Sequence, residues 1–279
     1  MKRRKFLKRL AILGGIGATT GFYTWQLEPH WLEIVRRKMA IKHLPISLIG
    51  KTLVQISDIH VGREVNADFL RNSFKRVAAL EPDLVVYTGD YVSYENASQL
   101  EQLQKVLDHA VLGQQATLAI LGNHDYGHRF REPEVADKIV DILKEAGIKT
   151  LRNEREMVAG LNVIGLDDSW GTNFHPRAAL AHYRSDQANL ILCHNPDVCD
   201  MDVWNGYQGW ILSGHTHGGQ CKPPFLPPPI LPVRNKNYSA GEIDLEDGRM
   251  LYINRALGHS KQVRFNVRPE ITVFELNRA

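Results

Sequence analysis

The sequence predicts a layered α/β domain, and three observations predict it. Short apolar runs alternate with stretches whose apolar positions recur at helical spacing from Leu53 to Ala146. The apolar runs end, again and again, in clusters of polar residues, as strands do that carry ligands at one edge of an open sheet. The 279 residues contain no obvious interdomain linker, so one sizeable domain accounts for the chain.

Residues 1–27 stand apart from that domain. Lys2, Arg3, Arg4, Lys5, Lys8 and Arg9 precede the first acidic residue, Glu28, and Leu10 to Trp25 is apolar with small or aromatic interruptions. The stretch reads as a targeting segment, or as an N-terminal anchor with positive flanks. A spanning helix needs about 20 apolar residues, and this run is slightly short and rich in glycine. No clean Ala-x-Ala site follows, so a cleaved signal and a retained anchor both stand. The net charge of +3 belongs to this segment: residues 28–279 hold 28 basic against 31 acidic side chains. Such a body gives no support to nucleic-acid binding.

From Glu28 to Gly50 neither period is clean, and Trp31, Leu32, Ile34, Val35, Met39 and Ile41 lie among Arg36, Arg37, Lys38 and Lys42. An edge strand is the expectation, with a basic helix on a membrane surface as the alternative. Regularity then sets in. Strands are expected at 53–56, 84–87 and 117–121, and helices at 67–80, around 100–111 and around 135–146, the first closed by Pro82. Beyond Gly147 the elements shorten to strands at 162–166, 190–193 and 210–212 with a helix around 177–183. Residues 242–245, 250–253 and 271–276 read as β. Lys222 to Pro232 holds six prolines and must be a stiff surface loop. Cys193, Cys199 and Cys221 form no C-x-x-C pair, which argues against a disulfide framework or a zinc ribbon.

The chemistry gathers where strands end. The first ends in Ser57-Asp58-Ile59-His60, the second in Thr88-Gly89-Asp90, the third in Gly122-Asn123-His124-Asp125, and later ones in Cys193-His194-Asn195 and Gly214-His215-Thr216-His217. Were D-x-H and H-x-H extended, the i and i+2 side chains would point the same way and each pair could close on one ion, while Cys193 turned away from His194. The donors are the carboxylates of Asp58 and Asp90, the amide oxygen of Asn123, and the imidazoles of His60, His194, His215 and His217. A catalytic zinc ordinarily takes three protein ligands and an open position, so these suit two ions sharing a carboxylate. Nitrogen and oxygen ligation without thiolate points to Mn²⁺, Fe or Zn²⁺.

This ordered set, D-x-H, G-D-x, G-N-H-D, H and G-H-x-H, strongly resembles the calcineurin-like metallophosphoesterases, over essentially everything from Leu53 onwards. Within that superfamily the Arg3-Arg4-Lys5-Phe6-Leu7-Lys8 run resembles a twin-arginine export motif, with Lys2 in place of the usual Ser or Thr. With Glu28-Pro29-His30-Trp31, Gly214 to Gln220 and Arg268-Pro269-Glu270, it resembles an exported bacterial phosphodiesterase branch akin to UDP-2,3-diacylglucosamine hydrolases. The resemblance implies a four-layer α-β-β-α sandwich over residues 28–279 with the metal site at the C-terminal ends of the strands. It implies Asp58, His60 and His217 on one ion, Asn123, His194 and His215 on the other, and Asp90 bridging.

Two ions about 3.5 to 4 Å apart would lower the pKa of a bridging water and align its attack with departure of the leaving alkoxide. His124, beside Asn123 but not a ligand, is the candidate proton donor, with Asp125 expected to hold its tautomer. The expected function is hydrolysis of a lipid- or nucleotide-linked phosphodiester or pyrophosphate, outside the cytoplasm after twin-arginine export, the alternatives being a phosphomonoesterase or a non-catalytic metallo-scaffold for a protein partner. His30, His43, His109, His128, His175, His182 and His259 read as surface or packing residues. Arg63 reads as solvated, and Asp167 to Trp170 as a capped loop that could line the pocket.

Overall fold

The strands fall into two six-stranded mixed sheets packed face to face; the structure, a computed structural model, describes residues 2–279. The first sheet has the order β1 (Glu33–Ile41), β12 (Glu270–Arg278), β2 (Thr52–Ile56), β3 (Leu84–Thr88), β4 (Ala116–Ile120), β5 (Lys149–Thr150). Strands β2 to β5 are parallel; β12 runs antiparallel to β2 and parallel to β1. The second has the order β10 (Gly241–Asp244), β11 (Arg249–Ile253), β9 (Gly209–Ser213), β8 (Ala188–Leu192), β7 (Leu161–Gly165), β6 (Glu154–Val158). Its central strands are parallel, and β10 and β6 close the edges antiparallel.

Alternation along each strand builds the layers. In β3, Leu84 and Val86 face the second sheet and Val85 and Tyr87 face the helices. In β8, Leu190 and Leu192 face inward and Ile191 faces the opposite surface. Every residue of β3 and β8 is buried, which is why both read as short continuous apolar runs. Helices α2 (Ala67–Ala78), α3 (Ser98–Leu107) and α4 (Pro133–Glu145) cover the first sheet. The layer over the second sheet is thin: helix α5 (Pro176–Leu180), a 3₁₀ turn at Pro196–Asp200, and Trp204 and Tyr207. The architecture is therefore the four-layer sandwich expected.

Local signals explain the helix bounds. The Asn66 side chain accepts hydrogen bonds from the backbone of Asp68 and Phe69 to start α2, and Leu70, Phe74 and Val77 form its buried face. Pro133 opens α4, whose buried stripe is Val135, Ala136, Ile139 and Leu143. Strand β1 takes the edge position, so the strand reading of this basic stretch holds over the helical one. Strands β5 and β6 were not anticipated. Glu154 to Met157 carries little apolar pattern because the edge it forms is mostly exposed.

Two irregular segments matter for the site. The Arg264 guanidinium is wholly buried and donates to the backbone carbonyls of Arg255, Ala256, Gly258 and Val267. The loop it gathers lies along the end of β2, where Leu257 N donates to Ser57 O and Gly258 N to Asp58 O. Helix α1 (Lys2–Phe22) is exposed where its side chains are described, and it continues through a π-helical turn, Tyr23–Leu27. That turn is tied to the same loop by Arg264 N on Thr24 O and Gln262 Nε2 on Trp25 O. Among the described residues no helix is long and apolar enough to cross a membrane. All three cysteines are free.

Candidate metal centre

The ends of β2, β3, β4, β8 and β9 meet at one edge of the sandwich. Asp58, His60, Asp90 and His217 form one buried group of ligand atoms within 4.8 Å of one another, and Asp90, His194 and His215 form a second. Asp90 belongs to both, as a bridging carboxylate would. The Asn123 side-chain oxygen is buried without a hydrogen-bond partner. The structure thus brings together the carboxylates and imidazoles read from the sequence, and Cys193 packs away from them, in the outer core.

Each imidazole is held from behind. His60 Nδ1 lies 3.1 Å from Ser93 Oγ, His194 Nδ1 donates to Thr88 O at 2.7 Å, and His217 Nδ1 faces Gln220 Oε1 at 3.0 Å. The Gln220 oxygen also accepts from Ser260 N while its Nε2 donates to Lys261 O and Val263 O, so it is the acceptor and His217 Nδ1 carries the proton. These bonds aim Nε2 of all three rings into the site. His215 is turned the other way: its Nε2 donates to Pro232 O at 3.2 Å, leaving Nδ1 for a ligand. The proline-rich loop therefore reaches the site and orients one ligand. Burial keeps His60 neutral, its pKa well below the ordinary value, and lowers His215 to about 4. Asp58 is fixed by Ser57 Oγ and by His215 N.

The backbone departs from the extended geometry expected. Asp58, His60, Asp90, His215 and His217 all have φ between 46° and 68°, the left-handed region that non-glycine residues seldom enter. Such strain, of order 1–3 kcal/mol per residue, concentrates at functional sites. The consequence is sharpest in H-x-H. His215 and His217 do not close on one ion; the left-handed turn sends His217 to the Asp58 group and His215 to the other. Close approach demands glycine: a Cβ at Gly122 would overlap Asp90 Oδ1, and one at Gly214 would overlap Ser57 Oγ and Asp58 Oδ2.

Asn123–Tyr126 is a 3₁₀ turn, and here one expectation is corrected. Asp125 does not hold His124. Its Oδ2 accepts from Asp90 N at 2.9 Å and Gly122 N at 2.8 Å, and its Oδ1 accepts from Tyr91 N at 2.7 Å. Wholly buried beneath the turn, it splices the ends of β3 and β4; burial raises its pKa, while the Gly122 and Tyr91 donors pull it back. His124 is positioned instead by its backbone N–H on Asp90 Oδ1 at 2.8 Å and by edge contacts with His60 and Phe130, ring centroids 5.0 and 5.3 Å away. Among the described residues no hydrogen bond engages its ring.

The donor set fits two divalent cations. His60 Nε2 and His217 Nε2 face each other at 3.0 Å, and His194 Nε2, 3.2 Å from Asp90 Oδ2, has no hydrogen-bond partner. With Nδ1 protonated, a neutral His194 would aim its Nε2 lone pair at the Asp90 carboxylate, and two acceptors so placed repel unless a cation or proton lies between. Without ions, burial opposes charge on His194 but Asp90 more than offsets it and keeps the ring protonated; bound ions would take over that neutralisation. Stripping the protein with a chelator is therefore expected to lower Tm by about 5–10 °C, reversibly on adding Mn²⁺ or Zn²⁺, as scanning calorimetry would record.

Other predicted and unpredicted residues sort readily. His259 is buried and bonds Glu64 O, as a packing histidine does, and Arg63 is exposed. Asp167 is occupied by Arg152, Tyr126 and Asn173. Trp170 does line the site, its ring perpendicular to that of His215 with centroids 4.8 Å apart. The supports Ser93, Thr88, Gln220 and Pro232 were not among the expected site residues. Thr88 and Gln220 begin or end runs that carry the expected ligands, which is a local signal; Ser93 and the carbonyl of Pro232 carry none.

Two clusters of imidazole sharing a buried carboxylate, at the strand ends of a double-sheet α/β sandwich, define a two-metal hydrolytic centre. The calcineurin-like phosphoesterase family model matches residues 51–219, and the chain belongs to that family as a metal-dependent phosphoester hydrolase. It is 31% identical to the phosphodiesterase YaeI of Escherichia coli over 99% of both chains. It is 28% identical to the UDP-2,3-diacylglucosamine pyrophosphatase LpxG of Chlamydia trachomatis, over 89% of this chain and 91% of that protein. An uncharacterized metallophosphoesterase of Bacillus subtilis, YkuE, is 30% identical over 99% of this chain and 98% of its own.

Proposed function

We propose that the protein hydrolyses a phosphodiester or pyrophosphate whose organic part is a lipid or a nucleotide. The observation that carries the reading is Asp90, shared between two buried ligand clusters, taken with relatives named as a phosphodiesterase and a nucleotide-lipid pyrophosphatase. Asp58, His60, Asp90 and His217 would hold one ion, and Asn123, His194 and His215, with Asp90, the other. When bound, two divalent ions neutralise phosphate charge and make water a competent nucleophile at neutral pH. The donor set suits Mn²⁺, Fe or Zn²⁺.

The chain's own residues supply the rest. Ser93, Thr88, Gln220 and Pro232 fix ring orientation, so the ligands need no reorganisation during turnover. His124, over His60 with its ring nitrogens uncommitted, donates a proton to the departing oxygen. The basic, twin-arginine-like residues 1–27 support export of the folded body to the periplasm or another extracytoplasmic face, where the segment is cleaved or keeps the body at the membrane.

The test is an activity screen of purified protein, loaded with Mn²⁺ or Zn²⁺, across diesters, monoesters and UDP-lipid pyrophosphates. Turnover of diesters or pyrophosphates at least tenfold above monoesters is expected. Faster turnover of monoesters would make the protein a phosphomonoesterase, and full metal occupancy with no hydrolysis of any ester would make it a scaffold.

A further inference from the structure

A cleft of about 670 Å³ opens beside the metal centre, between the loop after β7 and the end of the proline-rich loop. Trp170 forms one wall, 40% exposed, with its ring perpendicular to that of His215 and tilted against Phe130 at 5.6 Å between centroids, and Phe130 in turn touches His124. Phe174, Met201 and Val233 add apolar surface. The size suits a small organic ligand, and the position places that ligand within reach of a phosphate at the metal centre.

The polar groups of the cleft narrow its chemistry. Its two carboxylates are already engaged: Asp197 accepts from the backbone of Arg234, Asn235 and is thereby spent, and Asp200 accepts from Tyr238 Oη and Asn235 Nδ2. The Arg234 guanidinium, by contrast, has no hydrogen-bond or ion-pair partner among the described residues. The Asn195 amide uses its oxygen on Asp197 N, and its nitrogen makes only a long 3.5 Å approach to His215. The cleft therefore offers a flat aromatic face and unused donors. An acyl chain lying there would leave the buried Asn195 amide nitrogen without a partner and the exposed Arg234 guanidinium unused. A nucleobase satisfies both demands, stacking on the indole and accepting hydrogen bonds at its carbonyl oxygens.

Resting on the phosphodiester or pyrophosphate reading above, we propose that the cleft walled by Trp170, Phe174, Met201 and Val233 binds the nucleoside part of the substrate. The base lies against Trp170, and Arg234 and Asn195 donate to its edge. These are specificity residues, distinct from the groups that hold the ions.

Three esters that share a p-nitrophenyl group test it: methyl p-nitrophenyl phosphate, octyl p-nitrophenyl phosphate and the p-nitrophenyl ester of thymidine 5′-phosphate. Metal-loaded wild-type protein is expected to prefer the thymidine ester over the methyl ester at least tenfold in kcat/KM. Trp170→Leu and Arg234→Gln should each reduce that ratio to threefold or less, chiefly through KM, and Trp170→Phe, which keeps a flat face, should retain most of it. Because the readout is a ratio within one preparation, loss of metal or of folded protein cancels. Equal use of the methyl and thymidine esters, a ratio untouched in both variants, or a preference for the octyl ester above the thymidine ester would each overturn the proposal. Hydrolysis of none of the three would instead remove the phosphodiesterase reading on which it rests.

Discussion

Asp90→Asn is expected to lower kcat/KM on any phosphodiester by about 10³-fold and to leave the purified protein with one ion or fewer per chain. Asp90 is the one side chain common to both ligand groups, and its Oδ1 also accepts from the backbone N–H of His124, the proposed proton donor. The substitution preserves size and shape while removing the charge that both ions would share. Losing several kcal/mol of charge stabilisation corresponds to a thousandfold or more in rate. Measuring metal content and steady-state rates on the same preparation separates this from misfolding. A variant that keeps two ions and near-normal turnover would deny Asp90 its bridging role.

His124→Ala has the next largest expected effect, a fall in kcat of about 10²-fold or more with metal content unchanged. The residue is anchored through its backbone and through ring edges, and no structural hydrogen bond would be lost with its imidazole. A proton donor matters most when the departing oxygen is basic. The deficit should therefore be large for alkyl leaving groups and shrink towards unity for p-nitrophenolate, which leaves without help. An equal deficit on both kinds of ester would point to positioning of the substrate instead. Asp125→Asn is expected to behave differently, because Asp125 accepts three backbone hydrogen bonds and touches no reacting group: its loss should appear in stability, by about 1–3 kcal/mol, and in metal retention.

The sheets, the helices over the first of them and the carboxylates and imidazoles that gather at one edge were legible in the sequence because period and position carry that information. Strands such as β3 and β8 are buried on both faces and read as apolar runs, and the polar clusters follow them directly. What stayed hidden depends on contacts between distant segments or on backbone conformation. Asp125 sits next to His124 in the chain, which suggested a partnership, yet its carboxylate turns beneath the turn to meet β3. The left-handed residues at Asp58, His60, Asp90, His215 and His217 could not be read from residue type, since aspartate and histidine are found far more often outside that region than in it and tertiary contacts decide which ones enter it. Ser93, thirty-three residues from His60, and the carbonyl of Pro232 became functional only through folding.

The most direct test of a two-ion centre is the number of metal ions bound by the folded chain. Metal-free protein titrated with Mn²⁺ and analysed by inductively coupled plasma mass spectrometry after removal of free ion should retain two per chain, with diester hydrolysis rising to its plateau at the second equivalent. Full activity at one equivalent, or a chain that retains one ion or none, would contradict it.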